Sequence, residues 1–140
     1  MADDAAPARP PVSAAELQTR LRALAAKIGA PDDLLPTYAI SCDWGRPHLE
    51  ITPPGYSYVV VERGMELERT RYAGADELLY RAFLDATQSM ASGWAARHRV
   101  EGEEFRHTMF RRQAELMNVL SPEWGDRARV RAEGYMGHPI

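Results

Sequence analysis

The stretch that decides the fold is VVVERGMELERTRY, residues 59–72, which predicts two β-strands joined by a tight turn at Gly64. Two hairpin registers fit these residues. A two-residue loop would set Glu62 opposite Met65, and so mix apolar and charged side chains on both faces of the sheet. A three-residue loop, with Gly64 as the left-handed residue of a bulge, separates them.

In the three-residue register Val61 faces Met65 and Val59 faces Leu67, so that four apolar side chains share one face. We expect this register, with the apolar face turned towards the core. The other face is then exposed, aromatic and acidic. It holds Tyr56, Tyr58, Val60, Glu66 and Glu68.

Upstream of the hairpin, a side-chain period of two predicts two further strands. Their alternating apolar positions are Tyr38, Ile40 and Cys42, and then Leu49 and Ile51. Residues 43–46 can form a turn between these strands, and Pro53-Pro54-Gly55 ends the second one. The four strands are expected to form an antiparallel meander.

Helical periodicity of 3.6 appears on both sides of the strands. Ser13 and Glu16 have the spacing of a capping box and Gly29 suits a C-cap, so a helix is predicted over residues 13–28. Two amphipathic helices are predicted within residues 74–99 and 103–120. Ser121-Pro122 predicts one more helix start, although the alternating arginines of residues 127–131 also suit a strand.

The expected fold class is therefore α+β. An N-terminal helix and a four-stranded antiparallel meander are followed by two to three amphipathic helices, packed on one sheet face. Residues 1–12, rich in Ala, Pro and Asp, are expected to be a disordered tail, and residues 13–140 a single domain.

Composition excludes several classes of function. The net charge is -3 and the sequence pI about 5.8, which argues against a nucleic-acid partner. One cysteine, Cys42, permits no intramolecular disulfide and suits a reducing cytoplasm. The N-terminus does not resemble a secretory signal, and no apolar run is long enough to cross a bilayer. A cytoplasmic protein without a membrane partner is expected.

The sequence lacks a complete catalytic or metal-binding pattern. Glu104 and His107 have the Glu-x-x-His spacing of a di-iron ligand pair, but such sites need a second copy and further glutamates, which the sequence lacks. Cys42 is a lone cysteine in a predicted strand, where a small buried hydrophobe is the usual role. No nucleophile elbow, phosphate loop or zinc motif is present. We expect no metal, no cofactor and no enzyme activity.

Motifs in the second half of the chain resemble a known family. The stretches ERGMELERTRYAGADELLY, MASGW, EFRHTMFRRQAELM and SPEWGDRARVRAEGYMGHPI, in this order, resemble the immunity protein 63 family of bacterial polymorphic toxin systems over about residues 56–140. The positions that match the family pattern are Glu62, Arg63, Gly64, Glu66, Asp76, Glu77, Tyr80, Arg97, Arg106, Phe110, Gln113 and Trp124.

The resemblance implies a binding protein that neutralises a cognate toxin inside the producing cell, by covering its active site. On that expectation the toxin-binding residues are the aromatic and acidic side chains of the exposed sheet face, with a turn tryptophan. They are Tyr56, Tyr58, Glu62, Glu66, Glu68 and Trp44. The alternative is a small regulatory or ligand-binding domain with a Trp- and Tyr-lined pocket. The sequence does not indicate an oligomeric state.

Overall fold

A computed structural model describes residues 10–38 and 45–140 of the chain. The described elements are the helices α1 (Ala14–Ile28), α2 (Ala75–Arg97), α3 (Phe105–Leu120) and α4 (Pro122–Met136), the strands β1 (Thr37–Tyr38), β2 (His48–Thr52), β3 (Gly55–Glu62) and β4 (Met65–Tyr72), and a 3-10 turn at Asp32–Leu34. They form two compact units. The sheet unit contains residues up to Arg20 and Pro36–Leu79, and the helical unit contains Leu21–Leu35 and Tyr80–Ile140.

The sheet has the order β1-β2-β3-β4, and it is mixed. β2, β3 and β4 are antiparallel, as predicted, but β1 runs parallel to β2, with Thr37 beside His48. The prediction of a fully antiparallel meander is therefore wrong at its first strand. Residues 39–47 separate the two strands, a longer connection than the tight turn that would reverse the chain.

The β3–β4 hairpin adopts the register that the sequence argued against. Glu62 pairs with Met65 across a two-residue loop, in which both Arg63 (φ 53°) and Gly64 (φ 75°) are left-handed, as in a type I′ turn. The predicted three-residue loop is wrong. The apolar and charged residues are separated instead by a bulge further along β4, where Leu67 is the extra residue between the pairs Val61–Glu66 and Val60–Glu68.

The bulge changes which residues share a face, because directly paired residues point to the same side. One face, here called the polar face, holds His48, Glu50, Thr52, Ser57, Val59, Val61, Glu66, Arg69 and Arg71. The opposite, apolar face holds Leu49, Ile51, Tyr56, Tyr58, Val60, Glu68, Thr70 and Tyr72. Glu66 and Glu68 thus lie on different faces, contrary to the prediction.

Burial reverses the predicted roles of Tyr56, Tyr58, Met65 and Leu67, whereas Val59 is buried as predicted. Tyr56 and Tyr58 are 2% and 0% exposed, whereas Met65 and Leu67 are 65% and 57% exposed. The Tyr56 hydroxyl accepts a hydrogen bond from the backbone N–H of Val12 at 2.7 Å and so fixes the segment before α1. The tyrosines therefore belong to the core, and the predicted apolar core face is wrong for both residues of β4.

α1 begins and ends close to the predicted bounds. The Ser13 hydroxyl accepts from the N–H of Glu16 at 3.2 Å, which is half of the predicted capping box. The Glu16 carboxylate does not reach back to the cap, because it binds Arg20 at 2.8 Å. At the other end Gly29 is left-handed (φ 65°), and this conformation closes the helix.

In the helical unit, a buried amide and an aromatic group connect the helices. Gln113 of α3 donates its Nε2–H to the carbonyl oxygen of Leu84 in α2 at 2.8 Å. The Trp124 ring of α4 lies 5.7 Å from the ring of Tyr80 and 6.4 Å from that of Phe83, centroid to centroid. Gly125 permits close approach of α3 and α4, since a Cβ there would lie 2.7 Å from the Cβ of Asn118.

The α+β class is confirmed, and the fourth helix follows the Ser-Pro signal rather than the strand alternative. The Ser121 hydroxyl accepts from the Trp124 N–H at 3.3 Å, with Pro122 at the first helical position. A single domain over residues 13–140, helices on one sheet face and a disordered tail stay predictions. Residues 1–9 and 39–44, with Ile40, Cys42 and Trp44, lie outside the described part of the chain.

Candidate protein-binding surface

The end of the β3–β4 hairpin carries four exposed side chains of mixed chemistry. We call Glu62, Arg63, Met65 and Leu67 the hairpin-tip patch. Met65 and Leu67 expose most of their surface, although Met and Leu are usually buried in folded proteins. Apolar side chains with charged ones at their edge have the composition of a protein interface, where a buried apolar centre supplies affinity and a charged rim selects the partner.

The charges of the hairpin-tip patch are not used within the described chain. No hydrogen bond, ion pair or ring contact within residues 10–38 and 45–140 engages the Glu62 carboxylate or the Arg63 guanidinium. Both side chains are exposed, and the turn places them side by side at the end of the strands. They are therefore available to a partner without breaking a contact that the fold depends on.

On the polar face, by contrast, the charges are paired with one another. His48, Glu50, Glu66 and Arg69 form what we call the sheet network. Arg69 binds Glu66 with two nitrogens, at 2.7 and 3.3 Å, and Glu50 with a third, at 2.9 Å. The second Glu50 oxygen lies 2.9 Å from Nε2 of the buried His48. Because the bulge turns Glu66 to this face, Arg69 can bridge both carboxylates.

The sheet network shifts the pKa values of Glu50 and Arg69. The hydrogen bond from Arg69, and next that from His48, hold the pKa of Glu50 below its usual value, against an opposing effect of burial. The two carboxylates raise the pKa of Arg69 above its already high value, so this side chain stays charged. Glu66 and Glu50 are thus neutralised locally, and neither carboxylate offers a free charge to a partner.

The other predicted contact residues do not lie together on one exposed surface. Tyr56 and Tyr58 are core residues, as described above. Glu68 is half-buried on the apolar face, where its carboxylate accepts from the Thr70 hydroxyl at 2.6 Å. Trp44 lies outside the described residues. Of the six predicted contact residues, Glu62 is the one that the structure places in the hairpin-tip patch.

The family-pattern residues outside the hairpin are mostly structural. Tyr80, Gln113 and Trp124 make the helix contacts described above, and Phe110 is buried with its ring stacked 6.3 Å from that of Tyr135. Asp76 and Glu77 lie in the first turn of α2, where the helix dipole favours acidic side chains. Arg97 and Arg106 are exposed, at the end of α2 and the start of α3. The pattern therefore combines core positions with a few surface charges.

The helical unit also exposes large apolar side chains, at Val119, Val130 and Tyr135. Two open clefts of this unit, of about 560 and 360 Å³, lie at the α2–α3 loop and between α3 and α4, and neither is lined by Trp or Tyr. Arg111 forms an ion pair with Glu103 and lowers the pKa of that carboxyl. His107 lies 3.8 Å from Glu103, while Glu104 is exposed. Within the described ranges, no group of three or more His, Cys, Asp or Glu is placed to hold a metal ion.

Sequence reasoning missed Arg63, Met65 and Leu67 as surface contacts. Met65 and Leu67 read as core because they alternate with glutamates, and alternation normally indicates a half-buried strand. The available signal was the Arg-Gly pair, since a glycine in the second position suits a two-residue hairpin loop. That loop places Met65 directly after the turn, at the exposed end of the strand.

Comparison with known protein families gives a match to more than half of the chain. A family model described as Immunity protein 63 matches residues 53–133, which include β3, β4 and the helices α2 and α3. No curated protein and no solved structure matches the chain. Among the described helices, none combines the length and apolar character that crossing a bilayer requires.

Proposed function

Because the chain belongs to the immunity protein 63 family, as its residues predicted, we propose that it binds a cognate protein toxin and neutralises it, by covering the toxin's active site through the hairpin-tip patch. The observation that carries this proposal is the exposure of Met65 and Leu67 beside Glu62 and Arg63, whose charges have no partner among the described residues. All four residues lie inside the matched region.

The chemistry of the hairpin-tip patch suits a protein partner. Docking the two apolar side chains removes them from water, at roughly 25 cal/mol per Å² of apolar surface buried. The Glu62 carboxylate calls for a cation on the toxin, and the Arg63 guanidinium for an anion. A toxin cleft with an apolar floor and charged rim would meet all of these requirements at once. The proposed action is binding without catalysis, and it requires no cofactor.

A second copy of the chain is a poorer occupant of this edge than a different protein. β4 is an edge strand of the sheet. If two copies paired their β4 strands antiparallel about a two-fold axis, residues whose numbers add up to the same even total would lie opposite each other. Centred on Glu68 or Arg69, that register opposes the charged residue at the centre to its own copy. Like charges directly opposite destabilise a sheet pair. The edge therefore discourages self-association while the tip stays open.

The test of the proposed function is rescue of growth. Co-expression of this chain with the toxin domain encoded beside it should restore growth to cells that the toxin arrests, and the two proteins should elute as a complex in gel filtration. A variant with Met65→Asp and Leu67→Asp should lose both properties while keeping the wild-type circular dichroism spectrum. Absence of rescue and of a complex with the wild-type chain would sink the proposal.

A further inference from the structure

The turn of the hairpin holds an arginine in a conformation that arginine does not favour. Arg63 has φ 53°, and among the described residues other than glycine it alone has a positive φ. In this region the Cβ of an L-residue approaches the following carbonyl oxygen, and Asn, Asp and Gly are the residues that tolerate it. Asn at position 63, followed by Gly64, would form the most favourable type I′ turn.

Nothing within the described chain offsets this preference. Arg63 is exposed, and its guanidinium has no hydrogen bond, ion pair or aromatic contact in residues 10–38 and 45–140. Other arginines of the same hairpin do stabilise the sheet: Arg69 bridges two carboxylates, and Arg71 donates to the carbonyl oxygen of Thr52 at 2.8 Å. Strain of this kind, held at an exposed site without a structural use, indicates a functional role.

The surroundings of Arg63 decide which anion it suits. Glu62 precedes it and Glu66 follows within three residues, and the whole chain has a net charge of -3. A nucleic acid, with phosphates along its whole length, would be repelled by this net negative charge far more than a single protein carboxylate, which needs to approach only Arg63. The planar guanidinium binds a carboxylate with two parallel hydrogen bonds, and such a pair strengthens when Met65 and Leu67 exclude water around it.

We propose that Arg63 determines specificity in the hairpin-tip patch by binding a carboxylate of the toxin, and that it does so at the expense of the free chain's stability. This inference rests on the proposed function. It further requires that stability and affinity respond in opposite directions to one substitution, a signature that a residue with a merely structural role does not give.

The experiment compares three variants of the full chain, Arg63→Asn, Arg63→Lys and the control Arg22→Gln. Arg22 is exposed on α1 and makes no hydrogen bond, ion pair or ring contact within the described part of the chain, so its variant removes one positive charge away from the hairpin. The probe is the catalytically inactivated toxin domain encoded beside this chain. Thermal unfolding of the free variants gives Tm, and calorimetric titration with the probe gives Kd.

Arg63→Asn should raise Tm by about 2–4 °C and weaken binding about tenfold or more. Arg63→Lys keeps the charge but loses the fork of donors, so Kd should fall between those of the wild type and Arg63→Asn, with Tm unchanged. Arg22→Gln should move neither quantity appreciably. A lower Tm in Arg63→Asn, or a wild-type Kd in that variant, would overturn the inference alone. If the wild-type chain fails to bind the probe, the proposed function fails with it.

Discussion

The sheet network and the hairpin-tip patch lie on the same hairpin, yet their charges are in opposite situations. Arg69 is bound to Glu66 and Glu50, so these charges of the polar face are paired within the sheet. Glu62 ends β3 and Arg63 lies in the turn, and neither side chain has a partner among the described residues. Charges that are neighbours in one strand therefore need not form one binding surface, because a partner can bind only those charges that are not already paired within the sheet.

The largest expected effect comes from the apolar half of the hairpin-tip patch. Met65→Asp with Leu67→Asp should weaken toxin binding about a hundredfold or more, since buried anchors at an interface centre carry most of the binding energy. Tm should stay near that of the wild type, because both side chains are exposed. The quantity to measure is Kd for the inactivated toxin domain.

The helical unit offers a matched control for this pair. Val130 and Val119 are 67% and 56% exposed, close to the values for Met65 and Leu67. Val130→Asp with Val119→Asp therefore makes the same change in charge and polarity at equally exposed positions. It should leave Kd within about twofold of wild type, inside ordinary surface variation. Equal losses in both double variants would mean that general charge, and not the hairpin-tip patch, governs binding.

A smaller effect should separate two glutamates four residues apart. Glu62→Gln removes a free charge and should weaken toxin binding about three- to tenfold without changing Tm. Glu66→Gln removes a bidentate partner of Arg69, so it should lower Tm by about 1–3 °C and leave Kd nearly unchanged. Each variant is the control for the other. The comparison fails if Glu66→Gln weakens binding as much as Glu62→Gln does.

The smallest expected effect is a change in acid sensitivity. The folded state lowers the pKa of Glu50, so the stability that this carboxylate contributes is present above its usual value of 4.5 and is lost as the pH falls through the lowered pKa. Arg69→Gln removes the main cause of that shift. Urea unfolding at pH 7 and pH 3 should therefore show a smaller acid-induced loss of stability in Arg69→Gln than in the wild type. Equal losses would show that this pair does not contribute.

Much of the helical structure could be predicted from the sequence, because its signals are local. Ser13 and Gly29 mark the ends of α1 through caps that depend on a few adjacent residues. Ser121 and Pro122 likewise decide the start of α4 against the strand suggested by its arginines. In each case the hydrogen bonds that begin or end the helix are formed within one turn.

The sheet and the candidate surface could be predicted only in part, because they depend on cross-strand pairing. The hairpin register decides which face each residue of β3 and β4 lies on, and no local sequence signal indicates the bulge at Leu67. Tyr56 and Tyr58 were therefore expected on an exposed face, although they are buried. The direction of β1 also depends on the pairing of Thr37 with His48, eleven residues further along the chain. Glu62 was placed correctly at the tip because either register leaves it next to the turn.

The bulge at Leu67 has a consequence for how this hairpin can change over generations. In a regular strand, inserting or deleting one residue near the turn would swap the faces of every residue after it. Here the bulge already absorbs an unmatched residue, so a change in loop length can be taken up there while Arg69 stays opposite Val59. The segment that would recognise the cognate toxin is thereby free to diverge, while the pairing of the sheet that carries it is kept.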